Sequence, residues 1–143
     1  MGDVDRSLYI SVENIFKYIV SKMKKELELL PGGEMTVAEV HTLMAIGNGD
    51  PKSMKEIVEE LDVASSTPTR IVDRLVKKQL LTRFVDDEDR RKNFVQLTDT
   101  GRETYHYLIQ QKNKYAAEAL YGLTEEEKEF LAKILEKVNR NIK

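Results

Sequence analysis

LTRFVDDEDRRKNFVQLTDTG, residues 81–101, is the most informative segment of this 143-residue chain. Two short runs rich in Val, Phe, Leu and Thr, residues 81–85 and 93–97, flank a charged loop. That alternation predicts a β-hairpin with an exposed tip. The tip holds four acids, Asp86, Asp87, Glu88 and Asp89, followed by three bases, Arg90, Arg91 and Lys92. Asp89 stands two residues before Arg91, where a carboxylate can fix the direction of a guanidinium through a charge-assisted bond. A plainer reading competes: dense charge keeps an exposed hairpin from pairing edge to edge with another chain. Thr98 then supplies the cap of a long helix that contains Tyr105, Leu108, Ile109, Ala116, Ala119 and Leu120.

Working upstream, STPTRIVDRLVKKQLL (residues 66–81) reads as a helix to about residue 79. Pro68 suits a first helical turn, where its missing N–H costs nothing. Ser65, Ser66 and Thr67 are all competent caps. Ile71, Val72, Leu75 and Val76 make an apolar face, and Thr67, Arg70, Arg74 and Lys77 make a polar, basic line opposite it. Before it, SMKE (53–56) is a capping box opening a helix to about 61, and TVAE (36–39) is another opening a helix to about 46. Three short helices followed by a hairpin is the winged helix-turn-helix layout. In that layout the second helix of the pair leads its N-terminal residues into the major groove of DNA. Ser and Thr can bond base edges or phosphates there, and Arg can take guanine in bidentate fashion. The wing then carries its tip to the flanking minor groove, whose negative potential attracts Arg.

The charge distribution agrees with this division of labour. The whole chain is at −2, but residues 67–92 hold eight basic against five acidic side chains, a surplus that leaves the remainder at −5. An acidic body with one basic segment is an electrostatic footprint for nucleic acid. The length fits one domain, and 41% hydrophobic with 34% charged residues fits a globular, helix-rich protein over a disordered one. There is no cysteine, which excludes disulfides, thiolate metal sites and thiol redox sensing. No secretory signal or membrane-spanning run is evident, so the expected setting is the cytoplasm. No Cys nucleophile, P-loop or G-x-S-x-G motif is present, so no enzyme is expected.

Two helices remain outside that layout. Residues 8–30 place Leu8, Val12, Ile15, Phe16, Ile19, Met23, Leu27 and Leu30 at spacings of three and four. The last helix, opened by Thr124 and Glu127, is expected to bury Phe130, Leu131, Ile134, Leu135, Val138 and Ile142.

Over nearly its whole length, and most specifically across residues 66–101, the chain resembles the MarR family of bacterial and archaeal transcription regulators. Asp89-x-Arg91 in the wing, then Val95-x-Leu97-Thr98-x-x-Gly101, and Thr69-Arg70-x-x-Asp73-Arg74-Leu75 before it, carry the resemblance. The resemblance implies a mainly α fold with a small β-hairpin wing, a single domain over 1–143. Residues 1–32 and 115–143 would form a helical dimerisation region, and 33–114 the DNA-binding lobe with its connecting helix. It implies a homodimer on a pseudo-palindromic operator, with reader helices ~34 Å apart. It further implies repression and, in many members, release by a small-molecule effector. The residues expected at double-stranded DNA are Ser65, Ser66, Thr67, Thr69, Arg70, Arg74, Lys77, Asp89, Arg90, Arg91 and Lys92. Two positions depart from the family pattern. Gln79 stands where Gly is usual, so it either adopts a left-handed conformation or the turn differs. Pro68 stands where an ordinary helix former is usual, which bears on which of Ser65, Ser66 and Thr67 meets DNA.

Other constellations are weaker. His41, His106 and Glu39 could hold a metal, but two histidines without a third demonstrable ligand more often serve the fold, and no metal or cofactor is expected. EVHTLMAIG (39–47) is similar to the second helix of the fatty-acid-synthesis repressors, which use an acylated carrier protein as corepressor. Tyr105, Tyr107 and Tyr115 could line an aromatic cleft, though such residues are commonly core or interface. The rival of another class is a winged-helix module that binds a protein through the same face.

Overall fold

The computed structural model describes residues 2–61 and 66–142, Ser66 by its backbone alone. In chain order the elements are α1 (Asp3–Leu27), α2 (Val37–Ile46), β1 (Lys52–Ser53), α3 (Met54–Leu61), α4 (Ser66–Lys77), β2 (Leu81–Val85), β3 (Asn93–Leu97), α5 (Asp99–Ala119) and α6 (Glu125–Ile142). They form two compact units, one ending at Tyr107 and one beginning at Leu108, with α5 passing from the first to the second.

The starts of α2, α3, α5 and α6 are written in the sequence. Glu39 N–H donates to Thr36 Oγ1 at 3.2 Å, and Thr36 N–H donates back to Glu39 Oε2 at 2.9 Å, the reciprocal pair of a capping box. Ser53 with Glu56 and Thr124 with Glu127 repeat that pair at α3 and α6. α5 is capped by Thr98, whose Oγ1 accepts from Gly101 N–H at 3.0 Å.

The hairpin runs antiparallel with Leu81 opposite Leu97, Arg83 opposite Val95 and Val85 opposite Asn93. The sheet holds one strand more than the two the sequence predicts. Lys52 and Ser53 pair with Val95 and Phe94, giving the order β1-β3-β2. A two-residue strand carries no detectable alternation, and Ser53 doubles as the α3 cap, which hides it. Lys52 pins this edge: its Nζ donates to the Ala45 carbonyl at 2.6 Å and to Glu60 Oε2 at 2.7 Å.

The core of the first unit is built from one face of each element: Val40, Leu43 and Ile46 of α2, Ile57 of α3, Ile71, Val72 and Leu75 of α4, and Leu80, Leu81, Val95 and Leu97 around the wing base. Each such side chain contributes about 1.5–3 kcal/mol when removed from water. Among the described residues no buried side-chain polar atom lacks a hydrogen bond. α1 joins this unit at its end, where Tyr107 Oη donates to Glu26 Oε2 at 2.6 Å.

Within a single chain the apolar face expected on α6 stays open, as its assignment to the dimerisation region allows. Phe130, Ile134, Leu135, Val138 and Ile142 are exposed, and the helix contains no buried residue among those described. α1 does the same with Leu8, Val12, Ile15, Phe16 and Ile19. The amphipathic period was a true signal of a helix with an apolar face. It carried no information on whether the same chain covers that face.

Candidate nucleic-acid interface

α4 presents two faces set by its period. Ile71, Val72 and Leu75 are buried, and Pro68 is buried with them in the first turn. Thr67, Thr69, Arg70, Arg74 and Lys77 are exposed. Thr67, Arg70, Arg74 and Lys77 follow spacings of three, four and three, so they form one line on the solvent side. Ser65 lies outside the described residues, and Ser66 begins the helix.

The helix ends as the departure at Gln79 allowed. Gln79 has φ 60°, the left-handed conformation. Gln79 N–H donates to the Val76 carbonyl at 2.9 Å and Leu80 N–H to the Leu75 carbonyl at 3.0 Å. This is the Schellman arrangement, with Leu80 and Leu75 fully buried as its apolar pair.

Three ionic ties position this helix. Arg83 of β2 reaches Asp73 at 3.0 Å and links reader helix to wing. Lys78 Nζ donates to Glu39 Oε2 at 2.7 Å and to the Glu34 carbonyl at 2.8 Å. Arg74 Nε lies 3.4 Å from Glu39 Oε1. The Glu39 side chain is only 2% exposed. Burial pushes its carboxyl upward, but the Lys78 ammonium, the Thr36 amide and the Arg74 charge outweigh it and hold the group below its ordinary range. Glu39, Asp73, Lys78 and Arg83 were not among the expected interface residues. Glu39 was legible only as a helix cap, and its long-range partners are not encoded in local spacing.

At the wing tip, Asp89 Oδ1 accepts from both the backbone N–H and Nε of Arg91, each at 3.1 Å. The backbone bond is an Asx-turn, and the side-chain bond aims the guanidinium. The two Arg91 bonds hold the Asp89 carboxyl below its ordinary range. Arg91 itself is 91% exposed. Arg90 and Lys92 are exposed beside it. Lys92 N–H closes the tip on the Asp89 carbonyl at 2.9 Å, and Asp86 N–H on the Lys92 carbonyl at 3.0 Å. Behind the tip, Phe84 and Phe94 stack with ring centroids 5.8 Å apart, stiffening the two strands.

The metal constellation does not assemble. Glu39 is occupied by its two cations, the His106 ring nitrogen meets Asn48 at 3.3 Å, and His41 is exposed. Among the described residues there is no group of three or more His, Cys, Asp or Glu side chains able to hold an ion.

Comparison with known proteins agrees with this geometry. The family model described as the MarR family matches residues 35–92, the span from the first capping box through the wing tip. The chain is 23% identical over 137 residues to YpoP of Bacillus subtilis, an HTH-type transcriptional regulator, covering 96% of this chain and 97% of the relative. It is 28% identical over 127 residues to MdtR of Bacillus subtilis, an HTH-type transcriptional repressor, covering 89% of this chain and 77% of the relative. Among solved structures, FabT of Streptococcus pneumoniae in complex with DNA superposes with a TM-score of 0.86 at 21% identity, covering 96% of each chain. From capped α2 through reader helix, left-handed Gln79 and Asp89-held Arg91, this chain is similar to the MarR family, whose model matches residues 35–92.

Proposed function

We propose that this protein is a sequence-specific double-stranded-DNA-binding transcription regulator, a homodimer that represses by occupying a pseudo-palindromic operator. The observation that carries the reading is the exposed line Thr67, Arg70, Arg74 and Lys77 on α4, backed by a fully buried face on the same helix. A rigid helix with hydroxyls and guanidiniums on its open side can enter a major groove, the hydroxyls to bases or phosphates and the arginines to guanine. Thr69, exposed in the first turn of the same helix, and Ser66, at its start, are assigned to the same interface. Arg91, held by Asp89 and flanked by Arg90 and Lys92, serves the adjacent minor groove. The likeness to MdtR, named a transcriptional repressor, and to FabT, solved with DNA bound, supports the reading.

The homodimer follows from the open apolar faces. Phe16 is 65% exposed on α1 and Phe130 66% exposed on α6, each within a row of aliphatic neighbours. Rows of this kind mark an interface with another chain. Release by a small-molecule effector is part of the proposal by resemblance to the family, with no residue assigned to it. No helix among the described residues is long and apolar enough to cross a membrane. A DNA target places the protein in the cytoplasm in this reading.

The test is binding to a fluorescent duplex of about three helical turns over a salt series. The expected result is log affinity falling linearly with log salt, about 0.9 for each phosphate contact, with Arg70→Ala weakening binding. Binding that ignores salt and Arg70, or none at low salt by the intact protein, would contradict it.

A further inference from the structure

We infer that Glu39 is a specificity-positioning residue, a buried carboxylate that orients Arg74 of the reader helix for base recognition. The inference rests on the DNA-binding reading above and adds to it a residue outside the reader helix and the wing.

Four observations carry it. Glu39 is buried in α2, and both its carboxylate oxygens are engaged. One oxygen takes the Thr36 amide and the Lys78 ammonium, and the other faces Arg74 Nε. The carboxylate is fixed on the fold side by its cap and by Lys78, which the Glu34 carbonyl also holds. Arg74 is 55% exposed, so the tie constrains a side chain that still reaches solvent. Arg74 lies in the exposed line of α4 with Arg70 and Lys77.

The chemistry follows from the shape of guanidinium. It is planar, with Nε at the near end and two terminal nitrogens at the far end. A carboxylate beside Nε sets the plane and leaves the far end to form the two parallel bonds by which Arg reads guanine O6 and N7. An untethered Arg samples many rotamers and is drawn to any phosphate, which adds affinity without sequence information. The acid at position 39 thus trades loose attraction for a defined direction. A neutral residue there would keep the cap and lose the direction. Glu39 differs in this from Asp73, which pairs with the wing residue Arg83.

The experiment is selection of duplexes from a random pool by wild-type protein and by Glu39→Gln, followed by affinity measurement on every single-base variant of the wild-type site. Gln preserves size and can still cap α2. The expected result is that Glu39→Gln enriches a site degenerate at one symmetry-related pair of positions. Discrimination there should fall about tenfold, within the range a bidentate pair supplies, with other positions unchanged. In an Arg74→Ala background, Glu39→Gln should have no further effect on base preference, a coupling that a merely structural role would not show. Thr36→Ala, which weakens the cap and leaves the carboxylate charged, should keep the wild-type preference. Should Glu39→Gln fail to fold, Glu39→Asp, which keeps the charge and shortens the reach, is read the same way. Unchanged preference at every position, or an equal loss at all of them, overturns the inference while leaving DNA binding standing. No enrichment by the wild-type protein overturns both.

Discussion

The Thr98 hydroxyl donates to the Gln79 carbonyl at 2.6 Å, so the residue that caps α5 also holds the turn that ends the reader helix. Thr98 N–H adds a bond to the Leu80 carbonyl at 3.1 Å. Reader helix, wing base and connecting helix therefore meet at one threonine. Two hydrogen bonds thus tie the N-terminus of α5 to the turn at the C-terminal end of α4.

Gln79 holds its left-handed conformation against a steric cost of about 1 kcal/mol, because the Schellman bonds and the Thr98 hydroxyl over-determine it. Gln79→Gly removes that cost and adds some unfolded-state freedom. The variant should gain about 0.5–1 kcal/mol, seen as a higher urea midpoint at unchanged slope. An unchanged or lower midpoint would mean that the Gln side chain does more than tolerate its position.

Gly101 is required by close approach rather than by its dihedral angles. A Cβ built there would lie 2.1 Å from the Leu80 carbonyl oxygen and 3.3 Å from Leu97 Cβ. Gly101→Ala must push apart the reader-helix turn and α5, at a cost of about 1–3 kcal/mol. Gly49→Ala is the control, since a Cβ there meets nothing within 4 Å and the change should stay within about 0.5 kcal/mol. Chemical denaturation of both variants checks the contrast.

Glu39 makes stability depend on acid in a defined direction. Its carboxyl is depressed below the ordinary value of 4.5, so its contribution is complete above that pH and fades as pH falls through the depressed folded value. Glu39→Gln should cost about 1.5–3 kcal/mol at neutral pH, the range for hydrogen bonds to charged groups. The gap between the two proteins should close on acidification below 4.5. A gap constant through the acid transition would show that the carboxylate charge is not the stabilising feature.

The wing separates charge from direction. Asp89→Ala leaves Arg91 charged but frees it, so the salt slope should persist while preference for flanking sequence declines. Arg91→Ala should reduce both, with the slope shallower by about 0.9 for each phosphate contact removed. Neither change at this surface ion pair should move the melting temperature much. Equal effects of the two variants on slope and preference would contradict the Asp89 role.

The local parts of this molecule were legible because local chemistry specifies them. Three capping boxes, the strand runs at 81–85 and 93–97, and the Asp89-x-Arg91 tip all act within a few residues, and each is found as read. What escaped depends on distant partners. Glu39 meets Lys78 and Arg74 from another helix, and Lys52 pairs with Val95 across a sheet. Neither leaves a periodic trace. The α6 face reads identically whether it packs within its own chain or waits for a second one.

The central claim is that two copies of this chain read DNA as a two-fold unit, and selection from a random duplex pool tests it most directly. The account predicts enrichment of a symmetric site whose half-sites lie about one helical turn apart, bound by one dimer. Enrichment of single, unsymmetric half-sites by a monomer, or no enrichment at low salt, would contradict it.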